Sequence, residues 1–193
     1  INRNTPDHPM KKLPLVLLLL LSTWASAQDA LYGPHDSLIR VGIQYVQNGD
    51  LDAAKDVAYA AMERYPEGAP AYYLIGYCYS MDCREAGENC ELASSFLDRS
   101  IDIDRDYRYP FYNRALCKHL LGDLDGALAD INIQIEQDDQ DPTYFFLRAQ
   151  LYYKLGNRAG SCTDLSHLRR SDSGDLDEAD LLELQRFCED KNN

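Results

Sequence analysis

The sequence predicts an all-α fold: a right-handed superhelical solenoid of four helix-turn-helix hairpins followed by a C-terminal capping helix. Three observations carry this expectation. The segments YVQNGDLDAA from Tyr45, KHLLGDLDGA from Lys118 and YYKLGNRAGS from Tyr152 align with one another, so the chain repeats itself. Their turn glycines, Gly49, Gly122 and Gly156, are spaced by 73 and then 34 residues. Since 73 is twice 34 with five left over, another unit carrying a five-residue insertion lies between the first two. Finally, the pairs Gly49-Asp50 and Gly122-Asp123 punctuate helices, glycine ending one in the left-handed conformation and aspartate capping the start of the next.

The repeats are preceded by a different kind of segment. Met10 is followed by Lys11 and Lys12, by the apolar run LPLVLLLLL from Leu13 to Leu21, and by STWASA ending at Ala27. A basic start, a short apolar stretch and small residues at Ala25 and Ala27 predict a secretory signal peptide over 10–27, cut before Gln28. The run falls short of the roughly 20 apolar residues that span a bilayer, so no transmembrane helix is expected after cleavage. No cysteine stands at the cut to take a lipid anchor. Residues 1–9, polar and without an initiating Met, read as an upstream extension from a start assigned too early, and residues 28–34 as a linker.

Of the 193 residues, 32 are acidic and 19 basic, a net charge of −13; without residues 1–27 the excess deepens to −15. Nucleic-acid phosphates would be repelled, which excludes DNA and RNA as partners. All six cysteines (Cys78, Cys83, Cys90, Cys117, Cys162 and Cys188) lie after the expected cut. An even set in an exported chain favours disulfides over a metal cage or a redox nucleophile. The expected compartment is therefore oxidising, a bacterial periplasm first and secretion as the alternative.

Numbering the four units from His35, Ala69, Arg108 and Pro142 brings further positions into register. Repeat position 8 is small (Gly42, Gly76, Ala115, Ala149), as is position 20 (Ala54, Ala93, Ala127, Ser161), where two helices must approach closely. Position 4 is bulky (Leu38, Tyr72, Phe111, Phe145), and position 11 is Tyr45, Tyr79, Lys118 and Tyr152. Together these residues resemble the tetratricopeptide repeat, a helix-turn-helix of 34 residues. The resemblance covers residues 35–175, divided as 35–68, 69–107 with the insertion, 108–141 and 142–175. Departures are Lys118 for an aromatic, Ser100 and Gln134 for the small residue at position 27, and a proline at position 32 only as Pro66. Residues 176–193 then read as a capping helix and tail, with Leu176, Ala179 and Leu182 to Leu184 at helical spacing, since the last hairpin would otherwise expose an apolar face.

Cys162 in the last hairpin and Cys188 near the end of the capping helix stand 12 residues before and 14 after a turn near Gly174. Antiparallel helices would bring them level, so this bridge is expected first, and many exported members of the resembled family carry a similar one. Cys83 and Cys90 bracket the inserted REAGEN and would pinch it off. Cys78 and Cys117, at position 10 of neighbouring first helices, are left open. A zinc site on Cys78, Cys83, Cys90 and Cys117 has no matching spacing. The acidic clusters Asp102, Asp104, Asp106 and Asp138, Asp139, Asp141 fail as calcium loops, because Tyr107 and Asn113 stand where an EF-hand needs Gly and Glu. They read as a solvated rim. His35, His119 and His167 occupy unrelated positions, and neither HExxH, a GxSxG elbow nor a phosphate-binding glycine loop is present. No catalytic residue, metal site or cofactor is expected.

What the resemblance implies is a concave groove lined by the first helix of each hairpin. Its positions are filled here by Ile39 and Ile43, Tyr73 and Tyr77, Tyr109, Tyr112, Asn113 and His119, then Phe146, Gln150 and Tyr153. Such aromatic residues suit an extended peptide or a partner helix. Members of the family that grip a C-terminal carboxylate use Lys, Asn, Asn, Lys and Arg where this chain has Ile39, Ile43, Leu74, Tyr109 and Asn113, so that clamp is absent. The expected function is a non-enzymatic protein-interaction scaffold or adaptor in the cell envelope. The alternatives are a thiol-dependent small enzyme or redox factor using Cys78 and Cys117, and a self-assembling structural subunit; the oligomeric state is left open.

Overall fold

The structure is a computed structural model that describes residues 34–168 and 176–189. The expected signal peptide, the linker up to residue 33 and the turn near Gly174 lie outside the described residues. Among those described, the chain is helical throughout: α1 (Pro34–Gln47), α2 (Leu51–Arg64), α3 (Ala69–Ala86), α4 (Cys90–Ile103), α5 (Pro110–Leu121), α6 (Leu124–Gln137), α7 (Pro142–Lys154), α8 (Arg158–Leu168) and α9 (Glu178–Glu189). Helices pair as α1–α2, α3–α4, α5–α6 and α7–α8, and α9 closes the stack. Among the described residues, the backbones of successive first helices approach one another closely, whereas those of successive second helices stay apart and α2 meets α4 through side chains such as Tyr59 and Phe96. The stack therefore curves with α1, α3, α5 and α7 on its inner side.

The turn chemistry follows the sequence. Gly49, Gly122 and Gly156 have φ of 77°, 84° and 71°, a region costly to residues with a Cβ. Asp50 and Asp123 then accept the amides of Ala53 and Gly126 at 3.1 and 3.0 Å, giving partners to donors that a helix start leaves free. The small positions are closed completely. Ala54, Ala93, Ala127 and Ser161 have no exposed surface, and a methyl added at Gly76 would stand 2.8 Å from Leu97 Cγ and 3.3 Å from its backbone nitrogen. At that point α3 and α4 touch backbone to side chain with no room for a larger residue.

The insertion takes a form that its sequence does not announce. It does not enlarge the turn but lengthens α3 to 18 residues, where α1, α5 and α7 have 14, 12 and 13. Gly87 at φ 71° stops the helix and Asn89 at φ 63° reverses the chain into α4. The bridge Cys83–Cys90, with Cα atoms 4.9 Å apart, ties the end of the extended helix to the start of the next.

Two of the three departures at positions 11 and 27, Lys118 and Ser100, have local causes, and nothing in the structure explains Gln134. Lys118 reaches Asp130 at 2.8 Å, and Asp130 also receives both Nε and Nη2 of Arg114. Ser100 donates to the Ala69 carbonyl at 2.9 Å, holding α4 to the start of α3. The Arg114–Asp130 pair recurs one repeat later as Arg148–Asp164, at 2.8 and 2.7 Å. Each arginine also bonds the helix behind, Arg114 to Asp98 at 2.6 Å and Arg148 to Asn132 at 2.9 Å. In the second hairpin the same two positions are Ile75 and Phe96, which pack together in an apolar cluster with Ala58 and Leu74.

The capping helix differs from its expected face. Leu184 is fully buried, and Leu181 and Cys188 pack with it against Ala149 and Leu165, while Ala179 and Leu182 face outward. The bridge Cys162–Cys188, with Cα atoms 5.6 Å apart, fastens this helix to α8.

Candidate functional site

The inner surface divides into an aromatic ledge and a polar pocket. The ledge centres on Tyr73 of α3, whose ring lies 6.1 Å from Tyr77, 5.7 Å from Tyr107 and 5.8 Å from Tyr109. Tyr107 and Tyr109 contact each other at 5.2 Å. One hairpin further along, Tyr112 meets Tyr144 at 5.1 Å, and Tyr77 and Arg84 lie close enough to act on the Tyr112 hydroxyl. Burial holds the Tyr73 and Tyr107 hydroxyls well above the usual phenol range and pushes Tyr144 up to about 12. Tyr73, Tyr107 and Tyr144 are thus uncharged at physiological pH. Its rings are packed edge-to-face or tilted, the arrangement their quadrupoles favour, and Tyr109 leaves 53% of its surface exposed.

Each residue assigned to the groove from sequence has a definite place. Tyr73, Tyr77, Tyr109 and Tyr112 form the ledge, joined by Tyr107 and Tyr144, which sequence reasoning missed. Ile39 is half-buried against Ala58, Leu74 and Ile75, and Ile43 is exposed on α1. Asn113 is buried. It accepts from Ser80 at 3.4 Å and donates to the Tyr109 carbonyl at 3.5 Å, so it joins α3 to α5 and supports the ledge from behind. Phe146 packs into the cluster of Ala149, Leu165 and Leu184, beneath the capping helix.

The remaining three, His119, Gln150 and Tyr153, line a cavity of about 260 Å³ with Lys154, Asp180, Glu183 and Leu184. Gln150 donates to Asp180 at 2.6 Å, and the Tyr153 hydroxyl donates to Glu183 at 2.6 Å, which raises its titration point. The Tyr153 ring rests edge-on against Phe187 at 4.8 Å. His119 Nε2 is closed off from water without a hydrogen-bond partner. Burial first, and the nearby Lys154 cation second, lower the His119 pKa below its usual value, against a smaller opposing pull from Asp180. The imidazole is therefore neutral at neutral pH. Asp180 and Glu183 did not emerge from sequence because the groove reading stopped at the fourth hairpin, whereas α9 continues the inner surface; Lys154, the last residue of α7, was passed over in favour of the aromatic and amide side chains before it.

Cys78 and Cys117 are unbridged and fully buried, and burial pushes both thiols up to about 11. At neutral pH they are protonated, while nucleophilic or redox chemistry needs an accessible thiolate. The expected acidic rim contributes caps: Asp141 accepts the amide of Thr143 at 2.9 Å at the start of α7, and Asp104 that of Asp106 at 3.0 Å. Among the described residues no group of three or more His, Cys, Asp or Glu side chains converges as a metal site, and no helix is long and apolar enough to cross a membrane.

No protein-family model matches the sequence. The chain is similar to a TPR repeat-containing protein of Methanocaldococcus jannaschii, 24% identical over 188 residues; the alignment takes in 97% of this chain and spans 30% of that relative's length. Its fold is that of a TPR protein from Thermus thermophilus, with a TM-score of 0.62 at 19% identity, covering 89% of this chain and 92% of that one. It also matches the first TPR of Spaghetti, bound to an HSP90 peptide, with a TM-score of 0.57 at 17% identity over 63% of this chain and 95% of the other. The architecture is therefore a tetratricopeptide-type helical solenoid.

Proposed function

We propose that this chain is a non-enzymatic protein-binding scaffold or adaptor of the cell envelope, which takes an extended peptide segment or a partner helix along the inner face of its solenoid. The observation that carries the reading is the continuous tyrosine ledge across α3, α5 and α7, neutral and rigidly packed, with Tyr109 open to solvent. Rings of this kind offer large contact area at low entropic cost and dominate binding hot spots. The same fold in the Spaghetti neighbour carries a peptide, which supports a segment as the occupant. The mode of contact is this chain's own, since Ile39, Ile43, Leu74, Tyr109 and Asn113 replace the residues of a carboxylate clamp. The envelope location rests on the leader pattern from Met10 to Ala27 and on two disulfides, which persist in oxidising compartments.

The test uses the chain expressed from its own leader and recovered from an envelope fraction of its source cell, where Gln28 should be the first residue. Used as bait, it should capture a partner that a Tyr77→Ala/Tyr109→Ala/Tyr112→Ala variant loses, while Tyr59→Ala on the outer helix α2 retains it. Equal capture by wild type and the triple variant, with both folded by circular dichroism, rejects the groove. Recovery only from the cytosol rejects the envelope.

A further inference from the structure

We propose that the pocket between α5, α7 and α9 receives a lysine or arginine side chain of the segment bound in the groove. The inference rests on the groove reading above and adds the chemistry of the occupant. The pocket's wall holds two carboxylates, Asp180 and Glu183, against one ammonium, Lys154, and so presents one negative charge in excess. Gln150 and Tyr153 each give one neutral hydrogen bond, to Asp180 and to Glu183. These bonds fix the carboxylates in place without neutralising them. The His119 ring on the same wall, its Nε2 closed off and unpartnered, adds no opposing charge.

An incoming guanidinium or ammonium matches this wall. It donates to the free carboxylate lone pairs, beside a neutral imidazole that does not repel it. The apolar floor at Leu184 accommodates the methylene stem. The other occupants fit worse. An acidic side chain would face two like charges, and an apolar one would displace water from two carboxylates while offering no hydrogen bond. A divalent cation would meet the Lys154 ammonium with twice the charge of a basic side chain and would find fewer ligands than it needs in Asp180 and Glu183. His119, Gln150 and Tyr153 of its wall stand on α5 and α7, helices that also carry the ledge residues Tyr112 and Tyr144, so an aromatic or apolar stretch on the tyrosines can place a basic residue here.

The probes are N-acetyl-arginine methylamide and N-acetyl-lysine methylamide, titrated into the oxidised protein while the His119 imidazole resonances, assigned with His119→Gln, are followed by NMR. Ligands of this size bind at millimolar concentrations, so the titration runs to about 50 mM. The expected result is a saturating shift of His119 and Tyr153 with the basic probes and none with the norleucine or aspartate analogues. The isosteric Asp180→Asn/Glu183→Gln variant should weaken binding at least tenfold. Unshifted resonances at the top of the titration, an equal response to the norleucine analogue, or undiminished binding by the neutral variant would each overturn the proposal. The envelope capture separates the two readings. A partner lost by the tyrosine variant but retained in full by Asp180→Asn/Glu183→Gln leaves the groove standing and removes the basic anchor.

Discussion

At the scale of single residues, the pair Arg148–Asp164 allows a clean test of what charge contributes to this fold. Asp164 is only 3% exposed in its side chain, and both its oxygens accept from Arg148. Removing one member strands the other, and breaking a buried pair in this way costs about 3–5 kcal/mol. Asp164→Ala should fall near the lower end of that range in urea denaturation, because Arg148 keeps part of its surface in water and its bond to Asn132. Replacing both members by an apolar pair can be nearly neutral, and the protein already contains such a pair at the equivalent positions of the second hairpin, Ile75 and Phe96. Arg148→Ile/Asp164→Phe should therefore lie within about 1 kcal/mol of wild type; a double variant as unstable as the single one would mean that the charges specify the packing. These pairs were written in the sequence as a 34-residue recurrence, Arg114 with Arg148 and Asp130 with Asp164. Charged residues on a helix are by default read as solvated, and only the burial of the aspartates shows otherwise. Small residues were legible for the opposite reason, since at position 8 and position 20 nothing larger fits.

At the scale of helices, legibility depended on whether an element's limits are set locally. The ends of α1 and α5 are set by glycine and aspartate side by side, so sequence places them correctly. The end of α3 is set by Gly87 within an insertion that has no counterpart in the other repeats, and its extra turn of helix could not be copied from them. The inward face of α9 was misplaced because a short helix with leucines at 181, 182 and 184 offers two nearly equivalent faces; Cys188, drawn to Cys162, selects the one that buries Leu181 and Leu184. That covalent tie should matter most where packing is thinnest. Leu184 is the only residue of α9 among those described that is fully closed from solvent. Loop-closure entropy gives about 3.5 kcal/mol for Cys162–Cys188 and about 2.4 kcal/mol for the shorter loop of Cys83–Cys90. Cys162→Ser/Cys188→Ser should thus destabilise more than Cys83→Ser/Cys90→Ser in matched denaturation curves. It should also abolish the His119 response to the arginine probe, because Asp180 and Glu183 stand on the released helix. A response that survives loss of the bridge would show that α9 docks without it.

At the scale of the whole molecule, the solenoid has ends of unequal strength. Stability in a stacked array is a sum of local terms, each hairpin feeling only its neighbours. Among the described residues the first hairpin, α1–α2, has a neighbour on one side only, and the buried apolar residues described before Leu74 are alanines: Ala54, Ala58, Ala61, Ala69 and Ala71. Larger closed side chains, Ile75, Leu97, Ile131, Leu147 and Leu151, run from α3 to α7, where Cys83–Cys90 also ties two helices, and α8 and α9 add one each, Leu168 and Leu184. The far end is thin but fastened by Cys162–Cys188. Native-state hydrogen exchange followed by mass spectrometry should accordingly open α1–α2 first, α8–α9 next and α3 to α7 last. The ledge, built on α3 and α5 with Tyr144 of α7, then sits on the most persistent part of the array, and the basic-residue pocket on a part that can open separately. Such an order gives binding a graded readout: an aromatic stretch occupying the ledge should leave exchange in α1–α2 unchanged, and a basic side chain entering the pocket should slow exchange in α9. Exchange of all the described helices at a single rate would instead make the molecule one cooperative unit, with ledge and pocket inseparable in stability.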